Sequence, residues 1–319
     1  MVIPIGVYGQ KTTKPKVEEL REILSPYFVP FSYDTNFLKE EKDKIDLGRA
    51  LFFETQISEK STISCNSCHD LKKGGTNGAH YLDLKEEGVF YRDVPSVYNV
   101  ASLSLYNADG GEKSFKKKIE DTFATSHEMG VINESVFVDR LKENKKYTLL
   151  FSTAYPSGKI SFENAVNALQ MFIKGLVTPA PIDVFISGDN KAFSEAQVEG
   201  GLVFNALNCY TCHTGSNLGG QMIQKLGIAH DWPNQEDLGY YRLNKNPDYK
   251  MFFRVAPLRN VEITSPYFHD ASSKKIWKAI QQMGKHERGI QVSIEDALKI
   301  KEFLKTLTGK VDANYIEPN

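Results

Sequence analysis

Cys65-Asn66-Ser67-Cys68-His69 recurs as Cys209-Tyr210-Thr211-Cys212-His213, and the two copies contain all four cysteines of the chain. Each is a C-x-x-C-H pattern. The two thiols can add to the vinyl groups of one porphyrin, and the imidazole that follows can then ligate its iron. The pattern predicts two covalently bound c-type haems, with His69 and His213 as proximal ligands. Two C-x-x-C pairs could instead build a tetrathiolate zinc site, but such pairs usually stand about 15–20 residues apart. Cys65 and Cys209 are separated by far more chain. A redox-active dithiol needs one pair only and leaves both histidines unexplained.

A haem iron has a second axial position, and what fills it decides between electron transfer and small-molecule chemistry. The remaining histidines are His80, His127, His230, His269 and His286, and the methionines after the first residue are Met129, Met171, Met222, Met251 and Met283. His80 lies in the loop after the first motif, where a movable ligand could be mounted, although a surface histidine fits the same position. Met251 and Met283 are the thioether candidates for the second iron, and spacing alone does not separate them. Met171 reads as core on an amphipathic helix, and His127 and His230 read as exposed.

These residues need a frame. The chain has 319 residues, with 41% hydrophobic and 25% charged residues, which suits two soluble units of ordinary size. The formal net charge of −1 gives no electrostatic case for nucleic acid or an anionic membrane as partner. No apolar run is long enough for a membrane span. The opening Met1–Val7 stretch is too short for a signal-peptide core, yet bacterial haem attachment takes place outside the cytoplasmic membrane. The expectation is a periplasmic protein whose export signal has been removed.

Helical spacing is expected over 16–24, from 39 to about 52, and over 114–123, 134–143, 161–176, 194–207 and 274–283. A last helix is capped by Ser293. Residues 70–111 and 214–250 read as long irregular loops of the kind that carry function. Thr178-Pro179-Ala180-Pro181 is the linker candidate, dividing the chain into units 1–180 and 181–319. Each unit has an apolar helix, a C-x-x-C-H, a loop and a closing amphipathic helix, so the class is mainly α, with a cytochrome c plan used twice.

Both motifs, with Val94-Pro95-Ser96-Val97-Tyr98-Asn99, Glu128-Met129-Gly130, Pro257-Leu258-Arg259-Asn260, Thr264-Ser265-Pro266-Tyr267-Phe268-His269-Asp270 and Phe303–Gly309, resemble the bacterial dihaem cytochrome c peroxidases over nearly the whole chain. The resemblance implies a low-potential, peroxide-reacting first haem, with His69 proximal, His80 as removable distal ligand and Glu128 as the acidic residue beside the iron. It implies a high-potential second haem that takes in electrons, with His213 proximal and Met283 distal. It further implies one calcium ion between the units at Asp93, Thr264 and Pro266, and a homodimer. Arg254 and Arg259 are candidates for pairing haem propionates, against a reading as surface arginines.

By the same resemblance, reduction of the second haem by a small cytochrome c or cupredoxin releases His80, and Glu128 then moves a proton between the oxygens of hydrogen peroxide. The chain departs from the family pattern at three places between the haems: Lys118 stands where the family has glutamine, Asp109-Gly110-Gly111 where it has Asp-Gly-Arg, and Ala108 where it has a tryptophan. At the calcium positions, Asp93 stands where the family has asparagine. Tyr106 or a propionate contact could replace the tryptophan. A cation at Lys118 could stabilise a bound anion or point to solvent. Two other functions stay open: a dihaem electron carrier in which His80 never leaves, and an oxygenase acting on a partner protein. That oxygenase carries tyrosine where Met283 stands, which argues against it.

Overall fold

The computed structural model describes residues 14–31, 34–78 and 92–318. In chain order the helices are α1 (Lys16–Leu24), α2 (Thr35–Glu40), α3 (Lys42–Phe52), the single turn α4 (Cys65–Cys68), α5 (Phe115–Thr122), α6 (Glu134–Lys142), α7 (Lys145–Ala154), α8 (Phe162–Gly175), α9 (Pro181–Ile186), α10 (Glu195–Ala206), the short α11 (Tyr241–Asn244), α12 (Ile276–Arg288) and α13 (Ile294–Lys305). Two small antiparallel ladders complete the described residues. β1 (Ala124–Thr125) pairs with β2 (Gly130–Val131), and β3 (Ile223–Lys225) pairs with β4 (Phe252–Arg254).

Each half is built on one close helix crossing. In the first, α3 crosses α8 at Gly48, where a Cβ would lie 2.0 Å from the Ala168 carbonyl oxygen. In the second, α10 crosses α13 at Gly200, where a Cβ would lie 1.9 Å from the carbonyl oxygen of Lys299. Only a residue without a side chain allows backbones to approach this far. Phe52, Phe137, Phe151, Leu169 and Phe172 fill the first core, and Phe185, Phe204, Phe303 and Leu307 the second. Truncating one of these fully buried rings to alanine costs about 3–5 kcal/mol. The caps follow the side-chain chemistry: Ser161 accepts from Asn164 N, and Ser293 accepts from Asp296 N.

The packing departs from a division after residue 180 at both chain ends. Leu20 and Leu24 of α1, with Phe28, belong to the second core, whereas Val311, Tyr315 and Ile316 pack on the first. Thr178 is fully buried and is a joint, not a loose linker. Its hydroxyl accepts from Asn99 Nδ2 at 2.7 Å and from Asn260 Nδ2 at 2.8 Å, and its N–H donates to Asn99 Oδ1. Both asparagines have positive φ, 59° and 63°, which asparagine tolerates better than most residues. Pro181 begins α9 at its first turn, where a missing N–H costs nothing.

A third, smaller cluster lies in the second half: Trp232, Met251 and Phe253, with Leu226, Leu238, Phe268 and Met283 packed against them. An ion-pair network ties this region to the first half. Arg92 donates to both oxygens of Asp237 at 2.6 and 3.0 Å and to Asp109 at 2.8 Å.

Candidate active site and haem-binding turns

The first cysteine pair sits on α4, a helical turn closed by Ser64 N donating to Ser67 Oγ at 2.9 Å. His69 follows directly, its N–H donating to Cys65 O. Its Nδ1 lies 3.3 Å from the Gly75 carbonyl oxygen, and a carbonyl can only accept. Nδ1 therefore carries the proton, and the Nε2 lone pair is left for a metal. The second turn repeats this. His213 Nδ1 lies 3.0 Å from Leu218 O. Burial pushes both histidines below their ordinary pKa, towards the neutral form that ligates. The cysteines form no disulfide. Burial pushes Cys65 up to about 12 and Cys209 up to about 11.

Cys65, Cys68 and His69 open into a cavity of about 640 Å³, within the range of about 300–1,000 Å³ usual for bound organic groups. The same cavity is lined by Tyr106, Ala108, Lys118, Glu128 and Arg254. Arg254 comes from the second half and is held by the first: its N–H donates to Ala108 O at 2.8 Å, and Nε donates to Asn107 O at 3.0 Å. Its Nη1 is buried without a hydrogen-bond partner among the described residues. Burial lowers the guanidinium pKa to about 10 against the opposing pull of Asp109 and Tyr106. An orphaned cationic nitrogen on the wall of a cavity with two thiols and a buried imidazole fits a porphyrin carrying carboxylates.

Lys118, for which solvent was the other expectation, instead forms an ion pair with Glu128, its Nζ 2.7 and 3.0 Å from the carboxylate oxygens. His127, expected on the surface, instead lines this cavity. The two arginines expected beside propionates separate. Arg259 is corrected to a structural role, because its guanidinium is engaged with Asp183 at 2.8 Å through both terminal nitrogens and with the carbonyl oxygens of Thr178 and Ser216. No donor remains to face a haem.

Met283 lies on α12 and shares its apolar cluster with Met251, so both thioether candidates occupy one region. His80 lies outside the described residues. Asp93 donates its N–H to His269 O at 2.8 Å, and burial pushes its carboxyl up to about 7. Such a group is relieved by a cation. Thr264 lies against Gly74 of the first turn, and Ser265-Pro266 is a cis peptide. Among residues that spacing did not single out, His269 stacks on Phe253 with centroids 4.3 Å apart, and neither ring nitrogen has a partner among the described residues. Arg92, Asp109 and Asp237 were also missed, being brought together only by the fold.

Comparisons with known proteins agree on one group. Residues 42–191 match the di-haem cytochrome c peroxidase family. The chain is 31% identical over 274 residues to a cytochrome c551 peroxidase from Nitrosomonas europaea, covering 85% of this chain and 81% of that protein. It is 30% identical over 327 residues to the cytochrome c551 peroxidase of Pseudomonas aeruginosa, covering 97% and 92%. The fold is similar to the crystal structure of a MauG-like protein associated with microbial copper homeostasis, with a TM-score of 0.74 and 21% identity over 98% of this chain and 99% of that one.

Proposed function

Because the chain belongs to the dihaem cytochrome c peroxidase family, we propose that it reduces hydrogen peroxide to water with electrons from a small cytochrome c or cupredoxin, in the periplasm. The observation that carries this reading is one cavity lined by two thiols, an imidazole whose Nδ1 faces a backbone carbonyl, and a carboxylate held by a lysine. Cys65, Cys68 and His69 would attach the first haem, with Arg254 pairing a propionate. Cys209, Cys212 and His213 would attach the second. Once bound, the haems supply the irons and the electrons needed to cleave the O–O bond. No helix among the described residues is long and apolar enough to cross a membrane.

The protein groups do the rest. Glu128 takes a proton from one peroxide oxygen and returns it to the other, which leaves as water. His80 would be the removable ligand of the first iron, and Met283 would hold the second, where a thioether favours the reduced metal. Asp93, with backbone oxygens of Thr264 and Pro266, supplies the hard oxygen donors that suit calcium.

The test uses the holoprotein. A pyridine haemochrome assay should count two covalent haems. After one-electron reduction with calcium present, the first haem should turn high-spin, and peroxide should then oxidise a reduced small cytochrome. A low-spin spectrum that never changes, without turnover, would make the protein an electron carrier.

A further inference from the structure

Lys118 and Glu128 meet in the cavity wall with only 27% and 24% of their side chains exposed. Their meeting is built into the chain. Lys118 stands on α5, which ends at Thr122, and the β1–β2 hairpin then turns the chain back on itself. Met129 N donates to Thr122 O and Glu128 N to Thr125 O, both at 3.1 Å. Thr122 Oγ1 donates to Lys118 O at 3.1 Å, which closes the ring of contacts. The hairpin depends on Gly130 at φ 82°, where a Cβ would lie 2.5 Å from Glu59.

Burial alone would raise the Glu128 carboxyl. The charge and hydrogen bond of Lys118 outweigh burial and hold it below the ordinary carboxylate value, with Thr122 and His69 acting in the same direction. Cys65 and Cys68 are the other titratable groups that feel this carboxylate, and they lose their protons for good once joined to a porphyrin. Each carboxylate oxygen has two lone pairs. Nζ of Lys118 takes one lone pair on each oxygen and Thr122 adds a further hydrogen bond to the carboxylate, so of its four lone pairs at least one remains for a substrate proton.

We propose that Lys118 is a positioning residue for peroxide cleavage, gripping both oxygens of Glu128 so that its carboxylate meets the substrate in one fixed orientation. This rests on Glu128 as proton carrier. In that step Glu128 relays a proton from one oxygen of H₂O₂ to the other as the O–O bond breaks. The donor protein supplies the two electrons, two further protons come from solvent, and two waters result. A neutral amide at position 118 could orient the carboxyl but could not keep it charged.

The test compares dihaem holoprotein carrying Lys118→Gln, Lys118→Met or Lys118→Arg, with haem absorption confirming the fold. The readout is the infrared band of a protonated carboxyl, assigned to Glu128 by its loss in Glu128→Gln and followed against pH. In Lys118→Gln and Lys118→Met the band should persist to higher pH than in the unsubstituted protein, and the acid limb of kcat/KM should move the same way. Lys118→Arg should restore both. A band that titrates alike with and without Lys118 overturns the proposal. Separately, Glu128→Gln should lower turnover by about 10²–10⁴-fold. If it does not, Glu128 is not the proton carrier, even where the infrared shift still shows the grip.

Discussion

The two C-x-x-C-H turns treat their histidines alike and differ in their surroundings. His69 and His213 are both fixed through Nδ1 by a backbone carbonyl five or six residues on. Around the first stand an ion pair, His127 and an orphaned arginine nitrogen. The region that carries Met283 is instead lined by Trp232, Met251 and Phe253. Charged and titratable side chains are thus gathered around the first turn. The cluster that packs on Met283 is mainly apolar, with His269 stacked on Phe253, and a thioether that ligates a haem iron favours the less charged metal.

Three tests probe that contrast, in falling order of expected effect. Met283→His should lower the potential of the second haem by on the order of a few hundred millivolts, within the ~0.8 V span that axial ligands command. Met251→Leu should leave it nearly unchanged. Potentiometric titration decides, and the reverse outcome would make Met251 the ligand.

Next comes the network joining the halves. Burial would raise the Asp237 carboxyl, but Arg92 overcomes it and holds the group below its ordinary value. A carboxyl lowered by folding stabilises above its unfolded pKa, and that stability is lost as pH falls through the folded one. Asp237→Asn, which leaves Arg92 short of a partner, should cost about 3–5 kcal/mol and flatten the acid side of the stability profile. Denaturant unfolding against pH measures both.

The smallest expected effect concerns what the halves share. Gly48→Ala and Gly200→Ala should each destabilise by about 1–3 kcal/mol through overpacking, and by similar amounts, since the clash is the same in both crossings. A large asymmetry in melting temperature would show that the two cores are not equivalent supports.

Much of this was legible in the chain. The two C-x-x-C-H turns and the helices with a clear apolar face, α3, α8 and α13, follow from spacing alone. α7 escapes because Lys145–Ala154 has no clean stripe, and α9 because its Pro181 reads as a break although proline also starts helices. A second repeat was present but overlooked: Asn99, Val100, Ser104, Tyr106 and Asp109 recur as Asn260, Val261, Ser265, Tyr267 and Asp270. The structure shows it as matching turns. Tyr106 N donates to Glu112 O and Tyr267 N to Ser273 O, each at 2.7 Å, with positive φ at Asn107, Gly110, Phe268 and Ala271. Ala108 and His269 are thus counterparts. The role of Arg259 was out of reach, since its partner Asp183 is set by three-dimensional packing and not by periodicity.

The hydroxyl of Thr178 has two lone pairs, and one amide from each half occupies them. Sliding one half over the other would strand at least one of those amides where no water can reach it, a penalty of about 1–3 kcal/mol. The joint therefore favours a single register of the two halves.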